Sequence, residues 1–156
     1  MSYKNIEIQE ELLQVPHFSN DDAIAIGLLI YERAKKEGYP IGIDISRNRT
    51  TLFHMTLPGA NIQNEQWMSR KRNTSYYFER STLYYESPLR EEILNAGFDY
   101  RDYAPAGGAF PIRIAGSGYV GAAIVSGLAS IEDHNLVAWA IAKHYGIDGV
   151  PDAEIV

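Results

Sequence analysis

Two predicted β-hairpins constrain the fold of this chain more than any other feature of its sequence. Residues 41–46 carry isoleucine at every second position, and residues 51–57 alternate in the same way beyond a short turn. Residues 110–114 and 119–126 form a second alternating pair around a Gly-Ser turn. Because a short turn can join only antiparallel strands, the pattern predicts an antiparallel sheet.

Two long amphipathic helices flank the hairpins. Ser19 and Asp22 form a capping-box pattern at the start of the first helix, and Gly38 ends it. Ser130 and Asp133 form the same pattern at the start of the last helix. Since the apolar side of each helix must cover a sheet face, we predict an α/β (α+β) fold in three α/β/α layers. We expect one domain over the whole chain.

Shorter elements complete the prediction. Residues 11–15 are predicted to form a first strand, and residues 64–86 to be largely helical. Ser87 and Pro88 are predicted to start a short helix, with Ser87 as its cap and Pro88 in its first position.

The charge distribution bears on the class of ligand. The formal net charge of -6 argues against general binding of nucleic acid or anionic membrane. Residues 40–80 nevertheless carry six basic residues against three acidic ones. The basic residues are Arg47, Arg49, Arg70, Lys71, Arg72 and Arg80. A local basic patch on an acidic protein favours a small anionic ligand over a polymer.

The residue types that are missing exclude several classes of site. The chain has no cysteine, which excludes disulfide scaffolds, zinc–thiolate sites and cysteine nucleophiles. Its four histidines are not spaced as a metal-binding motif. The first 18 residues lack the apolar segment of a secretory signal, and no apolar run approaches the roughly 18 residues of a membrane span. We therefore expect a cytoplasmic protein that does not bind membranes.

One motif matches a nucleotide-binding pattern in letters only. Gly116, Gly118 and Gly121 form G-x-G-x-x-G. The dinucleotide motif needs a strand before the glycines and a helix after them, whereas here they join two predicted strands. The sequence therefore predicts a hairpin turn at this position.

Several motifs, in their order along the chain, resemble the haem-degrading-domain family. They are residues 107–112 (GGAFPI), 118–121 (GYVG), 125–128 (VSGL) and 133–134 (DH). A second set resembles one subgroup of that family: residues 57–59 (LPG), Asn64, Trp67 and the Arg70-Lys71 pair. With Phe18 and residues 22–27, the resemblance extends over about residues 10–145.

The resemblance implies a profilin-like fold, with a five-stranded antiparallel sheet between helices, and assembly into homo-oligomers. Family members include a secreted haem-binding redox sensor and a domain attached to a cobalamin adenosyltransferase. The resemblance therefore implies haem as a cofactor, but it assigns the haem ligand to no particular residue here.

The predicted helix at residues 64–86 carries the first candidate site. Trp67 and Lys71 are four residues apart and share a helical face, with Arg70 adjacent. An aromatic surface beside cations can hold a planar, carboxylated ligand such as a tetrapyrrole. The same residue types are also enriched at subunit interfaces.

Two histidines are further candidates. His54 and Asp44 are expected to be cross-strand neighbours. The pair is either structural, or its carboxylate orients the imidazole so that the histidine acts as a base or a ligand. His134 lies at the start of a helix, where the positive end of the helix dipole disfavours protonation of the imidazole. Because neutral imidazole is the form that ligates iron, His134 is a candidate haem ligand. The alternative for His134 is a structural hydrogen bond, and Asp133 is expected to be the reciprocal half of the helix cap.

Small residues complete the list of candidates. Gly107 and Gly108 can expose backbone N–H groups to an anion if their loop faces Ser126. The alternative is a tight turn that requires glycine.

Our leading hypothesis is a homo-oligomeric protein that binds a small anionic ligand, haem or a related tetrapyrrole, at or near a subunit interface. Two alternatives stay open. One is an enzyme that acts on haem or a small organic acid through His54 or His134. The other is an oligomeric adaptor that binds proteins through exposed aromatic residues.

Overall fold

Both predicted hairpins are present, and they pair with each other to form one antiparallel sheet of four strands. The structure, a computed structural model, describes residues 2–156. Its helices are α1 (Ile6–Leu12), α2 (Asn20–Glu37), α3 (Ile62–Phe78), α4 (Leu83–Glu86), α5 (Arg90–Asn95) and α6 (Ser130–Tyr145). Its strands are β1 (Tyr3–Lys4), β2 (Gly42–Arg47), β3 (Thr50–Thr56), β4 (Ala109–Ile114), β5 (Gly118–Ser126) and β6 (Glu154–Ile155). The sheet order is β3-β2-β5-β4, and β1 pairs with β6 in a separate ribbon.

Helices cover both faces of the sheet, so the predicted α/β/α layering is confirmed. On one face, α2 and α6 pack on the isoleucines of β2 and on Ala123 and Val125 of β5. On the other face, Met68 of α3 packs on Ala122 and Ile124. A fully buried isoleucine stabilises a fold by roughly 2 kcal/mol. The alternation along β2 and β5 therefore fixes which face each helix covers.

The turns follow the predicted chemistry. Asn48 and Arg49 between β2 and β3 both have positive φ angles, 49° and 66°, as a tight two-residue hairpin turn requires. Gly116 and Gly118 have φ angles of 81° and 103° in the second hairpin. The G-x-G-x-x-G stretch is thus followed by strand β5, which confirms the hairpin prediction.

Gly121 permits the two hairpins to join. A Cβ atom at this position would lie 2.0 Å from the Ser46 carbonyl oxygen of β2. Such a distance is far inside van der Waals contact, so only glycine lets β2 and β5 approach this closely.

The predicted first strand at residues 11–15 is wrong, and so is the count of five strands. Ile6, Gln9 and Leu13 are buried at helical spacing, and α1 occupies residues 11 and 12, where the strand was expected to begin. Val15 alone forms an isolated parallel bridge to Ile114 at the sheet edge. Pro16 follows at once and has no N–H group with which to extend the pairing.

Predicted helix caps were right for α2 and wrong for two other helices. Ser19 and Asp22 form the capping box of α2, and Gly38 ends that helix. At α6 the N-cap is Ala129 without a side-chain cap, because the Asp133 carboxylate binds other groups. The short helix α5 begins at Arg90, beyond the cis Ser87–Pro88 peptide bond, so these two residues do not take the predicted cap positions.

No helix within residues 2–156 is both long enough and apolar enough to cross a membrane.

Candidate functional site

A cavity of about 280 Å³ lies between α3, the loop before β4, the end of β5 and the start of α6. We call it the α3–α6 cavity. Its lining residues are Asn64, Trp67, Lys71, Ala106, Ser126, Gly127, Leu128, Ser130 and Asp133. Helix α3 contributes Trp67 and Lys71 because residues four apart project from the same side of a helix.

Lys71 is the buried cation of the cavity wall. Only 3% of the residue is exposed. Its Nζ donates to the Val125 carbonyl oxygen at 3.0 Å and to the Asp133 carboxylate at 3.3 Å. Burial lowers the pKa of the Lys71 amine, and the attraction of Asp133 offsets only part of that effect.

Gly108 makes room for this lysine. A Cβ atom at Gly108 would lie 2.6 Å from the Lys71 Nζ and 2.5 Å from the Val125 carbonyl oxygen. Its φ angle of 135° also favours glycine. Gly107 lies against the backbone of Ser130 in a similar way, which brings the glycine loop to the start of α6.

Asp133 is the partner of Lys71 rather than the cap of α6, which corrects the sequence prediction. Its carboxylate accepts hydrogen bonds from the backbone N–H of Leu128 at 2.9 Å and of Gly127 at 3.4 Å. Burial raises the pKa of Asp133 to about 6, against the opposing effects of Lys71 and these two N–H groups. Lys71 and Asp133 therefore form a buried pair in which both charged forms are destabilised.

The Ser126 hydroxyl is a polar group that the fold leaves available in this cavity. Ser126 is only 4% exposed, and its side chain points to the α3 side of β5 together with Ala122 and Ile124. Among residues 2–156 no group hydrogen-bonds to the Ser126 Oγ, whereas its carbonyl oxygen accepts from the Asn64 amide at 3.3 Å. The hydroxyl is therefore free to hydrogen-bond to water or to a ligand atom in the cavity.

Trp67 lines the cavity, and Arg70, which is outside the lining, lies against the Trp67 ring. The Arg70 guanidinium carbon lies 4.4 Å above the centre of the Trp67 ring. The guanidinium also donates to the Tyr100 carbonyl oxygen, which fixes its orientation. No acidic side chain within residues 2–156 forms an ion pair with Arg70, and its guanidinium covers one face of the ring of Trp67, a residue that is 39% exposed.

The predicted basic patch is not one surface. Lys71 is paired with Asp133 and Arg72 with Asp44. Arg49 and Arg80 stack on Tyr76 and Tyr84, and Arg47 donates to Phe18 and Asn20. The free positive charge at the cavity is therefore that of Arg70.

His54 belongs to a separate cluster with Asp44, Glu65 and Arg72, which we call the His54 cluster. Asp44 and His54 face each other across β2 and β3, so the predicted cross-strand pairing is confirmed. His54 Nδ1 lies 2.8 Å from Asp44, and Nε2 lies 2.8 Å from Glu65. Because carboxylates only accept hydrogen bonds, both ring nitrogens must carry protons. Burial opposes that charge, but the hydrogen bonds to Asp44 and Glu65 outweigh it and raise the pKa of His54.

The His54 cluster is thus a charge network between α3 and β3. Arg72 lies 2.8 Å from the same Asp44 oxygen, and Thr56 donates to Glu65. With both nitrogens engaged, His54 has no lone pair for a ligand or a substrate proton. It also does not line the α3–α6 cavity.

His134 lies in the core instead of the cavity wall. It is fully buried, with Nε2 2.6 Å from the Gln9 side-chain oxygen and the ring against Phe110. Its Nδ1 has no hydrogen-bond partner within residues 2–156 and no contact with solvent. Burial lowers the pKa of His134 to about 3, so the imidazole is neutral at physiological pH.

The structure therefore brings together Trp67, Lys71 and Ser126, with Arg70, Gly107 and Gly108 beside them, and separates both histidines from this group. Ligand binding by any of these residues stays a prediction. Within residues 2–156 no group of three acidic or histidine side chains is arranged to hold a metal ion.

Sequence reasoning missed several partners. Glu65 and Arg72 are seven residues apart on α3, a spacing that puts them on one helix face and would have indicated a shared cluster. Asn64 was named only as part of the family resemblance, and its hydrogen bond to Ser126 was not predicted. The pairing of Asp133 with Lys71 was not predicted either, because no pattern of neighbouring residues indicates it.

One known protein family matches most of the chain. The family described as haem-degrading protein HbpS-like matches residues 18–142. The chain belongs to the HbpS-like haem-degrading family. The matched range contains α2, α3, both hairpins and every lining residue of the α3–α6 cavity in this HbpS-like protein.

Individual proteins resemble this HbpS-like chain over most of its length. A UPF0303 protein of Brucella anthropi is 42% identical over 146 residues, which cover 91% of this chain and 86% of that protein. The crystal structure of the Ybr137w protein aligns with a TM-score of 0.79 and 27% identity, covering 90% and 86% of the two chains. The crystal structure of a PduOC:heme complex aligns with a TM-score of 0.64 and 17% identity, covering 80% and 93%. At that identity the last likeness concerns the fold alone.

Proposed function

We propose that this protein binds a small anionic ligand in the α3–α6 cavity, with haem or another carboxylated tetrapyrrole as the leading candidate. The observation that carries the proposal is the convergence of Trp67, Lys71 and Ser126 on one cavity, with Arg70 stacked on Trp67. Membership of the HbpS-like haem-degrading family and the likeness to a PduOC:heme complex support haem as the candidate.

The polar groups of the cavity suit a carboxylate. Arg70 supplies an uncompensated charge, and Ser126 supplies an O–H donor that has no partner among residues 2–156. The start of α6 at Ser130 adds N–H groups that point along the positive end of a 16-residue helix. Together these groups would bind one carboxylate arm of the ligand.

The size of the cavity decides how a tetrapyrrole would bind. Pockets that enclose drug-sized ligands have volumes of roughly 300–1,000 Å³, and this cavity of about 280 Å³ lies below that range. A carboxylate arm fits inside, while the ring would lie outside on Trp67. A second copy of the chain would cover the other face of the ring, so we propose a homo-oligomer with the ligand at or near the subunit interface.

The cavity holds no histidine that could ligate iron. His54 has both ring nitrogens engaged, and His134 is sealed in the core. The residues present fit the ring face and the carboxylates of haem. We therefore propose that the binding energy comes from stacking and charge, and that the iron contributes little to it.

A titration followed by absorbance tests this proposal. Haemin and metal-free protoporphyrin IX are each added to the protein and to its Trp67→Ala, Arg70→Ala and Trp139→Ala variants. Trp139 lies on α6 and does not line the α3–α6 cavity, so it serves as the control. We expect similar affinities for both porphyrins, at least a tenfold loss in the Trp67 and Arg70 variants, and no change in the Trp139 variant. Absence of saturable binding by both porphyrins would rule out the tetrapyrrole candidate.

A further inference from the structure

We propose that Lys71 forms an imine with a small aldehyde or keto acid that enters the α3–α6 cavity. The inference rests on the proposed function only in requiring that the cavity admits a ligand. It adds a covalent reaction and a substrate class, a small carbonyl compound, to that site.

The geometry around the Lys71 nitrogen leaves one position for a substrate. An ammonium group has three N–H donors, and two of them are directed to the Val125 carbonyl oxygen and to Asp133. No third acceptor for this nitrogen exists within residues 2–156, although the lysine lines the cavity. Loss of the third proton leaves a lone pair that is directed away from both acceptors.

Asp133 is placed to move the protons of the reaction. Its carboxylate lies 3.3 Å from Nζ, and its neutral form is accessible because it is buried. Asp133 first takes the third proton of the ammonium group. The amine lone pair then attacks the carbonyl carbon, a C–N bond forms as the C=O π bond breaks, and Asp133 returns that proton to the carbonyl oxygen. Asp133 accepts a proton from the nitrogen and donates it to the departing hydroxyl group, which leaves as water.

The reaction balances without another reactant. One carbonyl compound and the Lys71 ammonium give one protonated imine and one water, so the charge beside Asp133 is unchanged. The positive imine nitrogen keeps one N–H for the Asp133 carboxylate, so the ion pair is retained, whereas the hydrogen bond to the Val125 carbonyl oxygen is lost. The bound form thus needs no additional buried charge to be compensated.

The rest of the cavity suits such a substrate. Trp67, Ala106 and Leu128 provide apolar walls beside the lysine, and Ser126 provides a donor for a carboxylate or carbonyl oxygen. Burial also lowers the pKa of Lys71, which increases its neutral, nucleophilic fraction at pH 7 relative to a solvated lysine.

Reductive trapping tests the inference on the intact folded chain. Glyoxylate or pyruvate is added at pH 7 with cyanoborohydride, and the modified lysines are located by peptide mass spectrometry. Lys143, an exposed residue of α6, serves as an internal reference in the same molecule. We expect Lys71 to be modified at least ten times faster than Lys143, and this preference to disappear in urea.

The Lys71→Arg variant, which keeps the charge, should retain the slow labelling of Lys143 and lose the fast phase. Labelling of wild-type Lys71 at or below the rate of Lys143 would overturn the inference, and this measurement needs no variant to fold. The outcome is independent of the porphyrin titration. Porphyrin binding without Lys71 labelling would overturn only the imine, and labelling without porphyrin binding would overturn only the tetrapyrrole candidate.

Discussion

The guanidinium of Arg72 lies 2.8 Å from the carboxylate of Asp44 on strand β2. The preceding residue on the same helix, Lys71, is paired instead with Asp133 on α6. Adjacent positions of α3 therefore bind acids on two different sides of the helix. The side with Arg72 packs on the sheet and completes the His54 cluster. The side with Lys71 forms part of the wall of the α3–α6 cavity.

His54 should make the stability of the protein depend on pH near neutrality. Its pKa is raised in the folded state, so its contribution is fully present below the unfolded value of about 6.5 and is lost as pH rises through the folded value. At pH 5.5 we expect His54→Gln to be less stable than wild type by about 1 kcal/mol, since 37% of the side chain is exposed and solvent screens the pairs. Urea unfolding from pH 5.5 to 9 measures this difference. A gap that does not shrink as pH rises would contradict the proposed network.

His134 should act in the opposite direction and at lower pH. Its pKa is lowered to about 3 in the folded state, so the unfolded chain binds the proton first. Stability should fall as pH drops from about 6.5 towards 3, by up to about 4 kcal/mol. The His134→Gln variant keeps a hydrogen-bond donor for Gln9 but has no titrating ring. Its stability, followed by urea unfolding from pH 7 to 4, should decline less steeply than that of wild type, and equal slopes would show that His134 does not titrate on unfolding.

The buried pair of Lys71 and Asp133 should be strongly coupled. Removing one partner of a buried ion pair leaves the other uncompensated and costs about 3 kcal/mol. We expect Lys71→Met and Asp133→Asn each to lower the free energy of unfolding. The loss in the double variant should be smaller than the sum of the two single losses by about 2 kcal/mol. The exposed pair Lys4–Glu154, with Nζ and Oε2 2.9 Å apart, is the matched control and should couple by less than about 1 kcal/mol. Equal coupling in the two pairs would mean that burial has no effect on the Lys71 pair.

Gly121→Ala should be among the most damaging single-methyl substitutions. The added Cβ would meet the Ser46 carbonyl oxygen at 2.0 Å and separate β2 from β5. We expect a loss of about 3 kcal/mol in unfolding free energy. Gly116→Ala is the control, because its Cβ would meet no atom within 4 Å and only its positive φ angle of 81° opposes the change. That variant should lose about 1 kcal/mol, and a similar loss in both variants would contradict the close-approach argument.

Local patterns predicted the parts of this fold that local interactions determine. The alternation in β2 and β3 predicted both the hairpin and the facing of Asp44 and His54, because a side chain's face in a strand depends only on its position. The α2 capping box was predictable because both its residues lie within one turn. The helical spacing of Ile6, Gln9 and Leu13 was present in the sequence, but residues 11–15 taken alone resembled a strand.

Long-range pairing could not be predicted in the same way. Lys71 and Asp133 are 62 residues apart, and they meet only because β5 lies between α3 and α6. The Ser130-to-Asp133 pattern matched a helix cap, yet the Asp133 carboxylate binds Lys71 and two upstream N–H groups instead. The burial of His134 likewise depends on α1, which packs against α6 through Gln9.

The fluorescence of Trp67 tests the central claim most directly. The Trp139→Phe variant leaves Trp67 as the one indole of the chain, and Trp67→Phe leaves Trp139. We predict that haemin and protoporphyrin IX quench Trp67 in the Trp139→Phe variant in a saturable manner and with the affinity of the wild-type protein. In the Trp67→Phe variant, which lacks the stacking residue, the same ligand concentration should cause no saturable quenching of Trp139. Saturable quenching of Trp139 alone would place the porphyrin away from the α3–α6 cavity and contradict the account.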